Sequence, residues 1–333
     1  MAFIKKNYLG LLLAAVVALV ATYIGKLFPI VGGPVAGILL GLIIGLFPRS
    51  KQFDSGIKFT SKKILQYAII LLGFSMNLFQ IFAVGSQSLV IIIGTIATAL
   101  IVAFLVSRWV ALPANLAILI GVGSSICGGS AIAATAPVIA AEDEEIAKSI
   151  SVIFSFNVIA AFLFPVFGQL LGMSDTGFGM WAGTAINDTS SVVAAGQTWA
   201  TQHGSNTALE YATIVKLTRT LAIIPITLGL SWYRSRKQVA TTDVRLAKTF
   251  PWFILYFVIA AVINTVFALP TAVTDFLVVA SKFFITMALT AIGLNTNLIQ
   301  LIKGGGKALL VGLCCWVSIM AVSLLLQQLL GIW

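Results

Sequence analysis

Residues 116–141 read LAILIGVGSSICGGSAIAATAPVIAA, an apolar segment whose centre, GVGSSICGGS at 121–130, consists mainly of glycines and hydroxyls. As a helix, an apolar stretch of about 20 residues crosses a hydrocarbon core of about 30 Å. Inside that core a helix opens only where it is buried in protein or lines a watery cavity, because every backbone N–H and C=O must be paired. This stretch therefore predicts a discontinuous helix at a functional site, and close packing of small residues is the alternative.

The whole chain has the composition of an integral membrane protein. Its 333 residues are 59% hydrophobic and only 9% charged, with a mean hydropathy of +1.07, which lies outside the range of soluble domains. We expect one all-α membrane domain over residues 1–333. The net charge of +10 lies in short loops, so we expect the lipid bilayer as a partner and no nucleic acid. The three cysteines have no metal-ligand spacing, and we expect neither a metal nor a cofactor.

Hydropathy, with Gly, Pro and charges as boundaries, predicts eleven transmembrane helices. The first apolar run follows two lysines like a signal peptide, but it is too long for one, so we interpret it as a span. The expected spans lie near 8–28, 30–47, 64–84, 87–107, 113–141, 147–172, 178–200, 206–233, 250–269, 272–294 and 306–330.

The distribution of basic residues predicts the orientation of these spans. With a cytoplasmic N-terminus, fifteen of the twenty Lys and Arg residues fall on the inside, and only Lys26 and Lys148 fall outside. This asymmetry follows the positive-inside rule and predicts that the C-terminus lies on the opposite side, which is the periplasm in a bacterial inner-membrane protein.

Two segments of the chain resemble each other. SKKILQYAIILLGFSMNLFQIFAVG at 61–85 and SKFFITMALTAIGLNTNLIQLIKGG at 281–305 share eight of 25 residues without a gap. The predicted helices cross in opposite senses, which favours an inverted-repeat transporter fold with discontinuous helices crossing near the midplane. Chance similarity between apolar segments is the alternative.

Small residues also recur in the second span. There the glycines follow one another every four positions, which predicts close helix packing inside the bundle rather than a dimer interface. The state of oligomerisation stays open. The glycines are Gly33, Gly37, Gly41 and Gly45.

Two stretches and two basic residues are the candidate site. The second half of the broken helix at 121–130 would present free N–H groups to an anion, and AGTAINDTSSVVAAG at 182–196 concentrates polar groups at the same depth. The predicted substrate-binding residues are Ser124, Ser125, Gly128, Gly129, Ser130, Asn187, Thr189, Ser190, Ser191, Lys216 and Arg219.

Charges deep in a membrane are expensive, so they are functional or paired. Lys216 and Arg219 lie three residues apart on one helical face; they either bind an anion or form an ion-paired lock with Asp188. Lys282 is similarly embedded, and Asn295 and Asn297 beyond it are candidate ligands for a substrate or ion.

GSSICGGSAIAATAPVI at 123–139, NDTSSVVAAG at 187–196 and IVKLTR at 214–219 resemble the YeiH-type sulfate exporter family. These are bacterial inner-membrane proteins related to the bile-acid/arsenite/riboflavin transporter group, and the resemblance covers essentially the whole chain. It implies a secondary transporter of small anions, nominally sulfate or sulfonates, with an inverted-repeat, broken-helix core at 123–130 and 187–191. The family pattern has His where this chain has Asn187, which argues against a proton-carrying role there and leaves Asp188 untouched.

The leading hypothesis is secondary active export of small anions by alternating access. No nucleotide-binding loop of the Gly-x-x-x-x-Gly-Lys-Ser/Thr type occurs, so exchange or coupling to Na⁺ or H⁺ must drive transport, with Asp188 as the candidate coupling residue. The alternatives are a transporter of another small carboxylate or sulfur oxyanion, and an anion channel. Against the channel, the polar residues cluster at one depth as in a binding site. An enzyme is not expected, because the one histidine, His203, falls in a predicted external loop.

Overall fold

The computed structural model describes residues 2–28, 32–236, 252–296 and 305–333, and in these ranges all regular structure is helical. A 3₁₀ turn at Lys51–Phe53 and a π turn at Thr60–Ile64 flank the third helix. The helices are α1 (Ala2–Leu27), α2 (Gly32–Gly45), α3 (Asp54–Phe59), α4 (Leu65–Gly73), α5 (Leu78–Trp109), α6 (Ala114–Ser125), α7 (Gly129–Thr135), α8 (Asp143–Leu170), α9 (Asp175–Ala185), α10 (Thr189–His203), α11 (Thr207–Thr220), α12 (Ile223–Arg236), α13 (Trp252–Phe267), α14 (Thr271–Asn295) and α15 (Gly306–Leu330).

Within the described residues, six helical segments are long and apolar enough to cross a membrane. Five of them overlap one predicted span each, and the segment that begins at Leu78 overlaps two. They are Asn7–Leu27, Leu78–Trp109, Glu144–Leu170, Thr207–Leu230, Thr271–Asn295 and Gly306–Leu330. The other four predicted spans fall on shorter or interrupted helices. An all-helical, multi-span architecture is therefore confirmed.

The boundary between the third and fourth predicted spans is wrong. We expected a span over 64–84 and the next from 87, but α4 ends at Gly73 and α5 begins at Leu78. Asn77 caps α5 by accepting a hydrogen bond from the Phe79 amide at 2.8 Å. The intervening residues contain no proline or charge, so hydropathy did not register the break.

Helices α6 and α7 form a hairpin, which we call the first hairpin (114–135). Asn115 near the start of α6 donates to Glu145 near the start of α8, with Nδ2 and Oε2 3.3 Å apart. The segment expected to cross once at 113–141 therefore begins and ends on the same side of the molecule. Each arm is short, since the 12 residues of α6 are only about 18 Å long.

Helices α9 and α10 form a second hairpin (175–203) in place of the single crossing expected at 178–200. Trp199 near the end of α10 donates to Asp175 at the start of α9, with Nε1 and Oδ1 2.7 Å apart. Trp199 also stacks on Phe178, with ring centroids 4.0 Å apart. These contacts hold the two ends of the segment together.

The remaining helices surround the hairpins in two groups. Helix α8 packs against α6, α7 and α10, and α11 packs against both α9 and α10, so these two helices connect the hairpins. On the other side, α2 packs closely on α14, and α4 packs on α13 and α14. The groups meet where α10 contacts α2 and α14.

The glycines of α2 serve this packing inside the bundle. A methyl group added at Gly41 would overlap the carbonyl of Thr290 on α14, and one added at Gly293 would overlap the carbonyl of Ile38 on α2. Backbone approaches this close are possible only between small residues. The structure thus supports the intramolecular interpretation of the glycine pattern.

Candidate functional site

The tips of the two hairpins, residues 126–128 and 186–188, meet in the interior of the protein. Helix α6 ends at Ser125 and α9 ends at Ala185, so both tips begin at the carboxyl end of a helix. In the first tip Gly128 has φ +66° and ψ −127°, a conformation that residues with a Cβ rarely adopt. Its amide closes the turn by donating to the Gly123 carbonyl at 3.0 Å.

Lys216 on α11 joins the two tips. Its side chain is fully buried, and Nζ donates to the carbonyl of Ile126 at 2.6 Å and to that of Ile186 at 3.1 Å. These carbonyls have no partner inside their own helices, because a helix leaves its last C=O groups free. Lys216 thus supplies donors to both hairpins at once.

Arg219, one turn further along α11 and also fully buried, makes a second connection. Its Nε and Nη2 donate to the carbonyls of Ser125 and Ser124 in the first hairpin, each at 2.7 Å. Its Nη1 donates to the carbonyl of Thr184 in the second hairpin at 2.6 Å. A guanidinium suits this role because it presents several donors in a fixed plane.

The two cations therefore face the negative ends of α6 and α9. Each such end carries about half an elementary negative charge, which favours positive side chains there. An ion-paired lock with Asp188 was one of the two predicted arrangements, but among the described residues no ion pair within 4.0 Å joins it to Lys216 or Arg219. Backbone carbonyls take that place.

Asp188 caps the second arm of its own hairpin. Its carboxylate accepts hydrogen bonds from the Ser190 amide, at 2.9 Å, and from the Ser190 hydroxyl. Asp is a preferred N-cap residue because a carboxylate satisfies the free N–H groups of the first turn. The side chain of Asn187 next to it is buried, and its Oδ1 has no partner in the described part of the chain.

Asn157 on α8 holds the second tip from the opposite side. Its Oδ1 accepts from the backbone amides of Asn187 and Asp188 at 3.2 and 3.1 Å. Its side chain is only 2% exposed. Asn157 was not among the predicted site residues, although an asparagine in the middle of an otherwise apolar span is a signal for a functional or packed polar group.

A cavity of about 630 Å³ lies beside the tips, between the hairpins with α8 and the group formed by the π turn, α4, α13 and α14. Six predicted site residues line it: Gly129, Ser130, Asp188, Thr189, Ser190 and Asn295. Polar residues that the sequence analysis did not single out also line it: Ser61, Lys62, Gln66, Ser151, Asn157 and Thr296. The structure therefore brings the second arms of both hairpins to one polar cavity.

The model of the family described as conserved hypothetical protein 698 matches residues 9–312. Over 331 residues the chain is 59% identical to a UPF0324 membrane protein of Streptococcus pyogenes serotype M18, covering 97% of each protein. The chain belongs to the UPF0324 family. A UPF0324 membrane protein of Streptococcus mutans is 53% identical to this chain, and the alignment covers 97% of each protein. A relative in Fusobacterium nucleatum is 52% identical, and the alignment covers 97% of this chain and 98% of the relative. The YeiH-type resemblance is thus confirmed, and the UPF0324 protein is a multi-pass membrane protein.

Several predicted site residues of this UPF0324 protein lie away from the cavity. Lys216 and Arg219 lie behind the tips and do not line it, and neither do Ser124, Ser125, Gly128, Asn187 and Ser191. The Ser124 and Ser125 carbonyls, rather than their hydroxyls, make the contacts to Arg219. Gly128 and Asn187 belong to the tips, and the other five lie on the helices that adjoin or hold the tips.

Lys282 belongs to a different part of the protein. It interacts electrostatically with Glu210 on α11, and its backbone carbonyl accepts from Gln197 Nε2 at 3.2 Å. It therefore does not join the cavity with Asn295, and Asn297 lies outside the described residues. Among the described residues, no group of three or more His, Cys, Asp or Glu is placed to hold a metal ion.

Proposed function

We propose that this UPF0324 protein is a secondary active transporter of small anions, such as sulfate or organic sulfonates, and that the cavity at the hairpin tips is its substrate site. The observation that carries the proposal is the joining of two helical hairpins by buried cations directly beside a polar cavity. In a membrane, non-helical backbone at such depth is tolerated only where it is buried in protein or lines a watery path.

Electrostatics favour an anion in this cavity. Lys216 and Arg219 contribute two positive charges, whereas the ends of α6 and α9 contribute only about half a negative charge each. The first turns of α7 and α10, which begin at the same tips, add partial positive charge. The local charge is therefore positive with Asp188 ionised, and neutralising its carboxylate makes it more positive by one unit. Donors for an oxyanion are available from the Ser130 and Thr189 hydroxyls that line the cavity.

This balance suggests how transport is coupled. A proton or Na⁺ at Asp188 would strengthen anion binding, because both ligands change the same local charge in opposite directions. If a net negative charge still crosses with the substrate, an inside-negative membrane potential drives it outward with about 2.3 kcal/mol per charge per 100 mV. Export is therefore compatible with such coupling.

The hairpins change the expected topology. If each hairpin enters and leaves on one side, nine crossings remain, with the first hairpin entering from the cytoplasm and the second from the periplasm. Lys148 then lies on the cytoplasmic side with most other basic residues of the loops. Only Lys26 remains on the outer side, which strengthens the positive-inside pattern. The termini keep the predicted sides, in the bacterial inner membrane.

In this topology the cavity faces the cytoplasm. Lys62 and Ser151 lie near the cytoplasmic ends of their helices, and Asn295 and Thr296 lie at the cytoplasmic end of α14. The structure would then represent an inward-facing state. Movement of the hairpin group against the α2, α4, α13 and α14 group would expose the same site to the other side.

The inverted-repeat hypothesis fits the same arrangement. In the two similar segments the helices stop near matching positions, α4 at Gly73 and α14 at Asn295. Two hairpins that enter from opposite sides and meet at their tips are also what an inverted repeat predicts.

The test is transport of radiolabelled sulfate in proteoliposomes, measured as counterflow so that no gradient need be assumed. The double variant Ser130→Ala/Thr189→Val removes two cavity donors and is expected to lower the apparent affinity at least about tenfold. Thr98→Val is the matched control, because within the described residues the Thr98 hydroxyl bonds to its own helix alone, at the Gly94 carbonyl. Absence of counterflow by the wild type for sulfate, sulfite, thiosulfate and sulfonates would refute the proposal.

A further inference from the structure

The geometry points to Asn157 as a specificity-determining residue, whose amide nitrogen donates a hydrogen bond to the oxyanion in the cavity while its amide oxygen positions the second hairpin tip. This inference rests on the proposed function, since it assumes an anionic substrate at the tips. It adds a donor from α8, the helix that packs against both hairpins.

The orientation of the Asn157 amide is determined by its surroundings. The oxygen and nitrogen of an amide are usually assigned from their partners. Here the two backbone groups within hydrogen-bond distance of one amide atom, the N–H groups of Asn187 and Asp188, can only donate. Because an NH₂ group placed there would meet two other donors, the acceptor Oδ1 must face the tip. Nδ2 must then point elsewhere.

The Asn157 NH₂ group faces the cavity next to the first tip. Asn157 lines the cavity, and the residue as a whole is only 2% exposed. Its Nδ2 makes no hydrogen bond within the described residues and is not fully enclosed by protein atoms, so it is open to the cavity. A Cβ added at Gly128 would lie 3.6 Å from Nδ2 and 3.7 Å from the Asp188 Cβ. The free donor is therefore placed between the two tips, at the inner end of the cavity.

A free donor on the wall of a largely enclosed cavity discriminates between ligands. A ligand oxygen that accepts its hydrogen bond gains affinity, whereas a ligand with nothing to accept it leaves the group unpaired. The acceptor side of Asn157 is fully used by the backbone, so the residue offers only a donor to the cavity. It therefore favours oxyanions over cations and over neutral apolar molecules.

Asn157→Asp separates the two roles of the residue. The carboxylate keeps an acceptor for both tip amides, so the second tip stays anchored, but the donor is replaced by a negative charge. We expect purified Asn157→Asp protein to bind sulfate at least about tenfold more weakly than the wild type at pH 8, measured by equilibrium binding in detergent. At pH 5, where part of the new carboxyl is protonated and can donate again, the ratio between variant and wild type is expected to shrink.

Other charged or titratable groups face this position: Asp188 and Cys127 from the hairpins, Lys62 from the π turn, and Lys216 and Arg219 behind the tips. All of them are present in both proteins, so comparing the variant with the wild type at each pH isolates the new carboxyl. Ser151→Asp is the matched control for added negative charge, because Ser151 lines the same cavity on the same helix.

The outcomes separate this inference from the proposed function. If the wild type binds none of the sulfur oxyanions or sulfonates, the proposed function fails. If the wild type binds sulfate, three results refute the role of Asn157. The Asn157→Asp variant binds sulfate as tightly as the wild type, it loses no more affinity than Ser151→Asp, or its affinity relative to the wild type does not change with pH. Asn157→Ser, a small neutral replacement that membrane helices tolerate, provides a second test. Its affinity for sulfate should also fall about tenfold, and this loss should not depend on pH. Wild-type affinity in Asn157→Ser would overturn the inference.

Discussion

Arg219 is expected to hold the two hairpins together rather than to bind substrate, and Arg219→Met tests this. Methionine preserves much of the length of the side chain but donates no hydrogen bonds. The substitution leaves the carbonyls of Ser124, Ser125 and Thr184 without the donors that now lie 2.6 to 2.7 Å away.

The cost follows from these three contacts. Leaving one buried acceptor without a partner costs about 1 to 3 kcal/mol, so three cost about 3 to 9 kcal/mol before Lys216 or water compensates. Protein stability is typically about 5 to 15 kcal/mol. Arg219→Met should therefore lower the unfolding temperature markedly, or loosen the tips without global unfolding.

Cys127 offers a local measurement of the tips. It lies in the first tip, is only 3% exposed, and follows directly after Ile126, whose carbonyl binds Lys216. With Cys314 and Cys315 replaced by alanine, the rate of Cys127 labelling by a thiol reagent reports opening of the tip. We expect faster labelling and a lower unfolding temperature in Arg219→Met.

The matched control is Arg108→Met at the end of α5, where the guanidinium lies 4.3 Å from the Phe104 ring centre and makes no contact with the tips. It should leave both measurements nearly unchanged. The reasoning is refuted if Arg219→Met unfolds at the wild-type temperature and its Cys127 is labelled no faster than in the wild type, while sulfate binding is lost. Arg219 would then be a substrate ligand.

Three further predictions concern the tips and the topology. Gly128→Ala should destabilise the protein by about 1 to 3 kcal/mol in thermal unfolding, whereas Gly129→Ala, whose added Cβ meets nothing within 4 Å, should not; equal effects would contradict a tip conformation specific to glycine. Asp188→Asn should retain the helix cap, since Asn caps about as well as Asp, but make sulfate transport indifferent to imposed H⁺ and Na⁺ gradients; retained dependence would remove Asp188 from coupling. In a cysteine-free background, Glu144→Cys and Lys51→Cys should both react with an impermeant maleimide only in inside-out vesicles, because both positions lie on the cytoplasmic side. Labelling of Glu144→Cys in intact cells would instead support a single crossing by residues 113–141.

The sequence by itself was sufficient for the membrane class, the family, the two polar stretches near 123–130 and 187–191 and, apart from the break before α5, the long apolar segments. These features depend on local composition. Apolar length reports whether a segment can lie in lipid, and clusters of glycine, hydroxyl and amide residues interrupt such a segment wherever they occur. The buried positions of Lys216 and Arg219 followed from their depth alone, because neither side chain reaches water from there.

Only the tertiary structure decided the direction of the chain after each interruption and the partners of the buried charges. A straight broken helix and a hairpin have the same hydropathy, and they differ in contacts such as Asn115 with Glu145 that bring distant segments together. The partners of Lys216 and Arg219 are backbone carbonyls as much as 95 positions away in the chain, which no side-chain pattern records. Asn157 was missed for the same reason: its role depends on two backbone amides 30 and 31 residues further on. Their position opposite Oδ1 is a property of the packed hairpins.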